Sequence, residues 1–497
     1  VTLVASQDEK PVATATGGVG TEILLEIPAK GLRLWSPADP YLYDLTVTLK
    51  QGETVADRVT SYFGMREIGM GRDSEGRLRL TLNDEPLFQM GVLDQGFWPD
   101  GLYTAPTDEA LRFDIEATRR LGFNMSRKHV KVEPARWYYW CDRLGLLVWQ
   151  DMPSGNNGAP EAKEQFEREL TSIITARRNH PSIVMWVVFN EGWGQHDTDR
   201  YVDVVRKLDP SRLINAASGW HDRGVGDVLD IHAYPGPNAP EPDPRRASVL
   251  GEFGGLGLAV PEHTWSDESW SYRGVQDSIE LTNRYQSLLR RVWQLEQQPG
   301  LTAAVYTQLT DVEYECNGLL TYDRAVMKVN DGRVSAANRG LVPKLKTIVP
   351  TALTEPPTWR YTLTQPQEEW IRPGFDDSAW RQGRAGFGTP ATPGARIGTP
   401  WNSEHIWLRR EFELPAMATE NLWLFVHHDE DVEVYINGVL ALAAGGYTID
   451  YQEMPIRPAG RAALKAGKNT LAVHCRQTKG GQYIDVGLVE LQLTPEK

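Results

Sequence analysis

Apolar and polar positions alternate with a period of two in the runs 1–4, 22–27, 42–49 and 55–63, with turn-forming residues between them. Such alternation marks half-buried strands, so residues 1–68 predict a small antiparallel β-sandwich. From about residue 78 the texture changes. Short runs that are apolar on both faces, the mark of parallel strands covered on each side, occur at 88–93, 124–129, 146–150, 183–189, 213–217, 228–232, 248–252 and 302–308. Between several of them the apolar residues recur every three to four positions: in 275–297, Leu281, Tyr285, Leu288, Leu289, Val292 and Leu295 share one face. Thr107 ahead of Asp108 and Glu109 predicts a helix N-cap with acidic residues in the first turn. Eight strands of this kind predict a (β/α)₈ TIM barrel over 69–350. A doubly wound open sheet is the alternative, but no glycine-rich phosphate loop follows any strand. Residues 351–357 form a Pro-containing linker. Beyond it the runs 406–412, 422–427, 432–436, 470–474 and 484–493 predict a jelly roll over 351–497, with Asn437-Gly438 as a hairpin turn.

The net charge of −14 argues against a nucleic-acid or anionic-membrane partner. A neutral ligand fits better, and the 17 Trp and 18 Tyr supply rings able to stack on sugars as well as to fill cores. Cys141, Cys316 and Cys475 have no metal-type spacing and are expected as free thiols. With no His-x-x-x-His and no Cys/His cluster, no metal centre and no other cofactor is expected, and a Mg²⁺ or Ca²⁺ held by scattered oxygens is left open. The chain opens at Val1 without an initiator methionine, a signal sequence or a transmembrane run, as expected of a processed or truncated product. A periplasmic or secreted location is expected, with the cytoplasm as the alternative. Oligomeric state is left open.

Two runs carry the chemistry. The strand at 183–189 ends in Asn190-Glu191-Gly192-Trp193, and the strand at 248–252 ends in Gly251-Glu252-Phe253-Gly254-Gly255. Both carboxylates fall at strand C-termini, where barrel enzymes keep their catalytic groups. Two such carboxylates suggest a glycosidase pair.

Over nearly its whole length the chain resembles the family 2 glycoside hydrolases, which include β-galactosidases, β-glucuronidases and β-mannosidases. The resemblance rests on Trp35-Ser36-Pro37 with Pro40-Tyr41-Leu42-Tyr43, on Phe63-Gly64-Met65-Arg66-Glu67-Ile68, and on Gly122-Phe123-Asn124-Met125-Ser126-Arg127. It continues through Trp137-Tyr138-Tyr139-Trp140-Cys141-Asp142, Leu144-Gly145-Leu146-Leu147-Val148, Asn190-Glu191 and Gly251-Glu252-Phe253-Gly254. It implies an immunoglobulin-like sandwich that lacks its first strands, then the barrel, then a galactose-binding-like jelly roll placed C-terminally. The last is carried by Phe375-Asp376-Asp377-Ser378-Ala379-Trp380, Trp407-Leu408-Arg409-Arg410-Glu411-Phe412, Val434-Tyr435-Ile436-Asn437-Gly438 and Gly467-Lys468-Asn469-Thr470.

By the same resemblance Glu252 is the nucleophile and Glu191 the acid/base of a retaining, exo-acting β-glycosidase, β-galactosidase-like, acting on oligosaccharides. Asn190 would donate to the sugar 2-hydroxyl, Tyr234 would bond the nucleophile, and Arg127 would keep it ionised. The chain departs from the family where Leu93-Asp94-Gln95 and Phe97-Trp98 follow strand one, at Arg127-Lys128-His129, and where strand eight has Tyr306 and Gln308 but no tryptophan. Expected pocket residues are Asp94, Gln95, Trp98, Asp151, Trp220, His221, His232 and Tyr306. A catalytically inactive carbohydrate-binding relative and a transglycosidase using the same glutamates are the alternatives.

Overall fold

The computed structural model describes residues 1–416, 419–448 and 450–492. They form two compact units, one spanning Val1–Gly340 and the other starting at Leu341.

In the first unit the alternating N-terminal runs pair into one antiparallel sheet, in the order Lys10–Thr16, Thr2–Gln7, Tyr43–Gln51, Thr54–Phe63. Residues 22–27, expected as a strand, join no ladder. Lys10–Thr16, not expected as a strand, pairs with Thr2–Gln7. The turn between those two strands rests on Asp8 and Glu9 at φ 50° and 64°. It lacks the Asn-Gly signal by which such hairpins are recognised. Trp35 is fully buried, and its indole N–H donates to the Asp142 carbonyl at 2.7 Å, tying this region to a barrel helix.

Ile68–Arg72, Leu78–Leu82 and Glu85–Pro86 then form a small antiparallel sheet. Its Ile68, Leu80 and Leu82 pack on Val249, Ala303 and Val305, and the Leu80 N–H donates to Thr302 Oγ1 at 2.9 Å. These partners lie early in strands seven and eight, so the piece plugs the N-terminal end of the barrel.

All eight expected barrel strands form: Gln89–Asp94, Met125–Lys128, Leu147–Asp151, Ile183–Val187, Leu213–Asn215, Val228–Ala233, Ala247–Gly254 and Ala303–Thr307. Parallel ladders link them in the order five, four, three, two, one, eight, seven, six. At the remaining seam, Asp227 joins strand six to strand five: its N–H donates to the Ile214 carbonyl and its carboxylate accepts from the Ile214 N–H, both at 2.8 Å. The expected helix cap is present, with Thr107 Oγ1 accepting from Ala110 N ahead of Asp108–Arg120. Ser278–Gln297 buries Leu281, Tyr285, Leu289, Val292 and Leu295. Among the described residues, no helix follows strands five or six. None of the described helices is long and apolar enough to cross a membrane.

In the second unit two sheets face each other. One runs Thr399–Pro400, Phe387–Gly388, Tyr483–Gln492, Leu422–Asp429, Gln452–Pro455; the other runs Arg381–Arg384, Thr358–Thr362, His405–Leu414, Gly467–Arg476, Asp431–Ile436, Val439–Ala444. Between them lies a core that includes Trp359, Phe387, Trp401, Leu424, Val434 and Val473. Asn437 and Gly438, at φ 50° and 86°, make the expected turn. Leu493, the end of the last expected run, lies outside the described residues. All three cysteines are buried and unpaired.

The boundary falls ahead of the expected linker because Lys344–Val349 pairs along Tyr483–Gln492 and puts Val349 in the second core. A fragment starting at 341 should therefore unfold cooperatively in a thermal melt. One starting at 351 should be less stable by about 2–3 kcal/mol, since it loses Val349 and part of Ile348 from the core. Equal stabilities would place the boundary at the linker instead.

Candidate active site

Barrel strand four ends in a sharp turn. Its ladder stops at Val187, Asn190 bridges to Ser218, and Glu191 follows at φ 51°, a conformation that non-glycine residues seldom adopt. Residue 192 has to be glycine, because a Cβ there would collide with the His221 ring. The turn aims the Glu191 carboxylate at strand six, where its Oε1 lies 2.7 Å from His232 Nδ1.

Strand seven makes a comparable demand. A Cβ on Gly251 would run into the Asp230 carboxylate and the Ser218 hydroxyl. Without one, Gly251 N–H donates to Asp230 Oδ1 at 2.6 Å. Glu252 then points into the barrel mouth. Its Oε1 accepts from Arg127 Nη1 at 3.2 Å and its Oε2 from the Tyr234 hydroxyl at 2.6 Å. One carboxylate oxygen of Glu191, one of Glu252 and a ring nitrogen of His232 all lie within 4.8 Å of one another. The two carboxylates differ in setting, since the Glu191 side chain is 24% exposed and that of Glu252 only 6%.

Arg127, fully buried on strand two, organises this floor. It donates to both oxygens of Asp151 at 3.1 and 3.0 Å, to the Gly251 carbonyl at 3.1 Å and to Asn190 Oδ1 at 2.7 Å, besides its bond to Glu252. Burial works against its charge, but Asp151 and Glu252 more than compensate and raise its pKa. Because Arg127 takes the amide oxygen of Asn190, the amide N–H₂ is the end left for a ligand. Tyr234 is pushed well above its ordinary pKa by burial and by the Glu252 charge, so it stays a donor. Its ring stacks on Tyr272 at 3.7 Å.

The protonation of His232 follows from its neighbours. Asp230 accepts from Asn215 Nδ2 at 2.7 Å, from Gly251 N–H and from the Ser218 hydroxyl at 2.6 Å. The single Ser218 proton is thereby used, so Ser218 Oγ, 2.8 Å from His232 Nε2, accepts a hydrogen carried on that nitrogen. Nδ1 and Glu191 are left to share one proton between them. Burial alone would lower the His232 pKa, but the Glu252 charge and the Glu191 bond raise it. The His232 bond is the largest influence on Glu191 and holds its carboxyl below the usual glutamate value, against burial.

Of the expected residues, Asn190, Tyr234, Arg127 and His232 converge on Glu191 and Glu252, and Asp151 fixes Arg127. The Trp220 ring lies 5.6 Å from that of His232. Three expectations are corrected. Asp94 pairs in register with Lys128 and bonds its Nζ at 2.7 Å, on the strand face turned to the helices, where Lys128 lies over Trp137. Trp98 is 7% exposed and packed under the Arg324 guanidinium at 3.7 Å. Tyr306, opposite Phe253 across the ladder, is buried between Phe253 and Tyr285 on the outer face. Sequence reasoning missed Asp230 and Ser218, which fix His232, and Glu315, whose carboxyl is pushed up by burial and by the Glu252 charge and whose own charge raises Tyr272. It quoted His129 only as a departure. Here His129 Nδ1 lies 2.9 Å from Asp151 Oδ2, the carboxylate that holds Arg127.

Two carboxylates facing each other at the C-terminal mouth of a parallel barrel are an arrangement that a glycosidase pair uses. The family model described as glycosyl hydrolases family 2, TIM barrel domain, matches residues 104–241, and that described as glycosyl hydrolases family 2 matches residues 2–66. Over these two stretches the chain matches the family 2 glycoside hydrolases. It is 28% identical over 218 residues to a β-galactosidase of Leuconostoc mesenteroides, covering 42% of this chain and 20% of that one. It is 30% identical over 218 residues to a β-galactosidase of Lactococcus lactis, covering 41% and 21%. The chain thus spans about a fifth of the length of these curated relatives. An FMN-binding β-glucuronidase from Facaelibacterium prausnitzii L2-6 shares the fold at TM-score 0.57 and 18% identity, covering 100% of this chain and 69% of that one. A β-galacturonidase from Eisenbergiella tayi bound to galacturonate does so at TM-score 0.55 and 20% identity, covering 68% and 66%.

Proposed function

We propose that the chain carries the catalytic site of a retaining, exo-acting β-glycosidase, β-galactosidase-like, that releases terminal β-linked sugars from oligosaccharides by double displacement. The observation that carries this reading is the approach of the Glu191 and Glu252 carboxylates within 4.8 Å. Carboxylates that close suit direct attack, whereas an inverting pair stands about 6.5–9.5 Å apart to admit a water. The names of the curated relatives support the β-galactosidase-like part.

Glu252, held by Arg127 and Tyr234, attacks the anomeric carbon. The bond from that carbon to the leaving oxygen breaks, its electron pair stays on the oxygen, and Glu191 supplies the proton. Asn190 donates to the sugar 2-hydroxyl as positive charge develops on the ring. In the second step Glu191 takes a proton from water, whose oxygen attacks the same carbon from the opposite side, and the ester to Glu252 breaks. His232 steadies Glu191 through both steps, because the proton they share can sit on either group.

The test is turnover of a panel of nitrophenyl β-glycosides followed by NMR. The first-formed free sugar should be the β anomer, and added methanol should yield the methyl β-glycoside. An α product would refute double displacement. Binding without turnover across the whole panel would favour the inactive carbohydrate-binding alternative.

A further inference from the structure

A third carboxylate lies at the same barrel mouth, next to Trp270, whose ring is 4.8 Å from that of Tyr272, the ring stacked on the Glu252 partner Tyr234. Glu315 lies on the loop after strand eight, bridged to Trp270. Its Oε1 accepts from Asn317 Nδ2 at 2.8 Å and its Oε2 from Gln95 Nε2 at 3.4 Å. Behind it runs a one-way relay of amides: Gln95 Nε2 donates to Gln308 Oε1 at 3.0 Å, and Gln308 Nε2 donates to Asn317 Oδ1 at 2.8 Å. An amide has one acceptor end and one donor end, so these bonds fix all three orientations and make the relay end on an acceptor. Gln308 and Asn317 are buried, while Glu315 is only half-buried. Such a relay is more than one solvated glutamate needs. It holds an acceptor in place at the edge of the barrel mouth.

Glu315 is close enough to the pair to be affected by it, since burial and then the Glu252 charge both push its carboxyl up. The neighbouring cations are engaged elsewhere. Arg127 is held by Asp151, Glu252 and Asn190. Lys128 is turned to the helix layer with Asp94 and Glu133. A ligand entering here meets three carboxylates beside the Asn190 amide N–H₂, so hydroxyls, which can both donate and accept, suit the site better than a further carboxylate.

We propose that Glu315, held by Gln95, Gln308 and Asn317, is the residue that reads the sugar, accepting hydrogen bonds from the hydroxyls of a neutral pyranose and rejecting a uronate. This rests on the reading of Glu191 and Glu252 as a glycosidase pair and adds the substrate class to it. The solved uronidases share the barrel, so the fold itself does not choose between the two kinds of sugar.

The test compares nitrophenyl β-galactoside, β-glucoside and β-mannoside with the matching β-uronides. Turnover is measured in the unmodified chain and equilibrium binding in a Glu252→Gln background, each with and without Glu315→Gln. The best neutral ligand should be preferred over its uronide by about 10⁴-fold, as expected where a site built to bond a hydroxyl meets an analogue lacking it. Glu315→Gln should reduce that preference by about tenfold or more, the worth of one charge-assisted hydrogen bond. Gln95→Met, remote in sequence from the loop, should reduce it in the same direction and decides the matter if the first variant does not fold. An unchanged preference in the folded variants, a uronide bound best by the unmodified chain, or no binding of any neutral ligand would overturn the proposal. Absence of turnover with the binding preference intact would instead sink the glycosidase reading and leave the assignment of Glu315 standing.

Discussion

Glu252→Gln should lower turnover by about 10⁵-fold or more, on the scale seen when a nucleophile is removed. The substitution keeps shape and volume: the one amide oxygen still accepts from Arg127, and the amide N–H₂ can donate to the Tyr234 hydroxyl, which turns its own proton to Thr307 Oγ1, so the barrel should melt at nearly the same temperature. What is lost is the electron pair that forms the bond to the anomeric carbon. In the unmodified protein, a 2-fluoro-glycoside of the right sugar should add its glycosyl mass to the peptide containing Gly251-Glu252-Phe253. The fluorine slows both steps, and a good leaving group restores only the first. The mass should appear on no other carboxylate, although two stand close by. Label on Glu191 would reverse the two roles. Label on Glu315 would make the amide-held carboxylate the nucleophile and also overturn its assignment as the sugar reader.

The barrel was legible because its strands are apolar on both faces: a run such as Ile183-Val184-Met185-Trp186-Val187 leaves few other ways to cover itself. The glutamates were legible because each follows such a run and is tied to a glycine that the packing requires, Gly192 beside His221 and Gly251 beside Asp230. The misplacement of Asp94 and Tyr306 came from parity. On a strand, a shift of one residue exchanges the barrel mouth for the helix layer. Asp94 and Tyr306 fall on the outer parity, against Lys128 and Tyr285, while Thr307 falls on the inner one and meets the Tyr234 hydroxyl at 2.7 Å. Glu315 could not be placed because it sits on a loop with no periodicity. Its position depends on Gln95, 220 residues away in sequence, and such a bond leaves no local pattern.

Glu191→Ala should separate substrates by their leaving groups. A sugar alkoxide is a poor leaving group and needs the proton, so glycosylation should slow by about 10³–10⁴-fold, while a dinitrophenolate, which needs little help, should lose about tenfold. With the activated substrate the second step still lacks its base, so the covalent intermediate should accumulate. Azide, which attacks without losing a proton, should accelerate its release as a β-glycosyl azide. Equal losses for both substrate types, with no effect of azide, would make Glu191 a supporting residue of the strand end. His232 provides a second readout on the same group. Catalysis fails as rising pH removes the proton Glu191 must deliver, so the alkaline limb of kcat/KM reports the titration of the pair it forms with His232. The His232 bond is the main influence holding the Glu191 pKa down, while burial pulls it up. His232→Asn should therefore move the alkaline limb to higher pH, because burial is then opposed by one partner fewer. A limb that stays in place, or moves to lower pH, would mean that the proton is not shared along this bond.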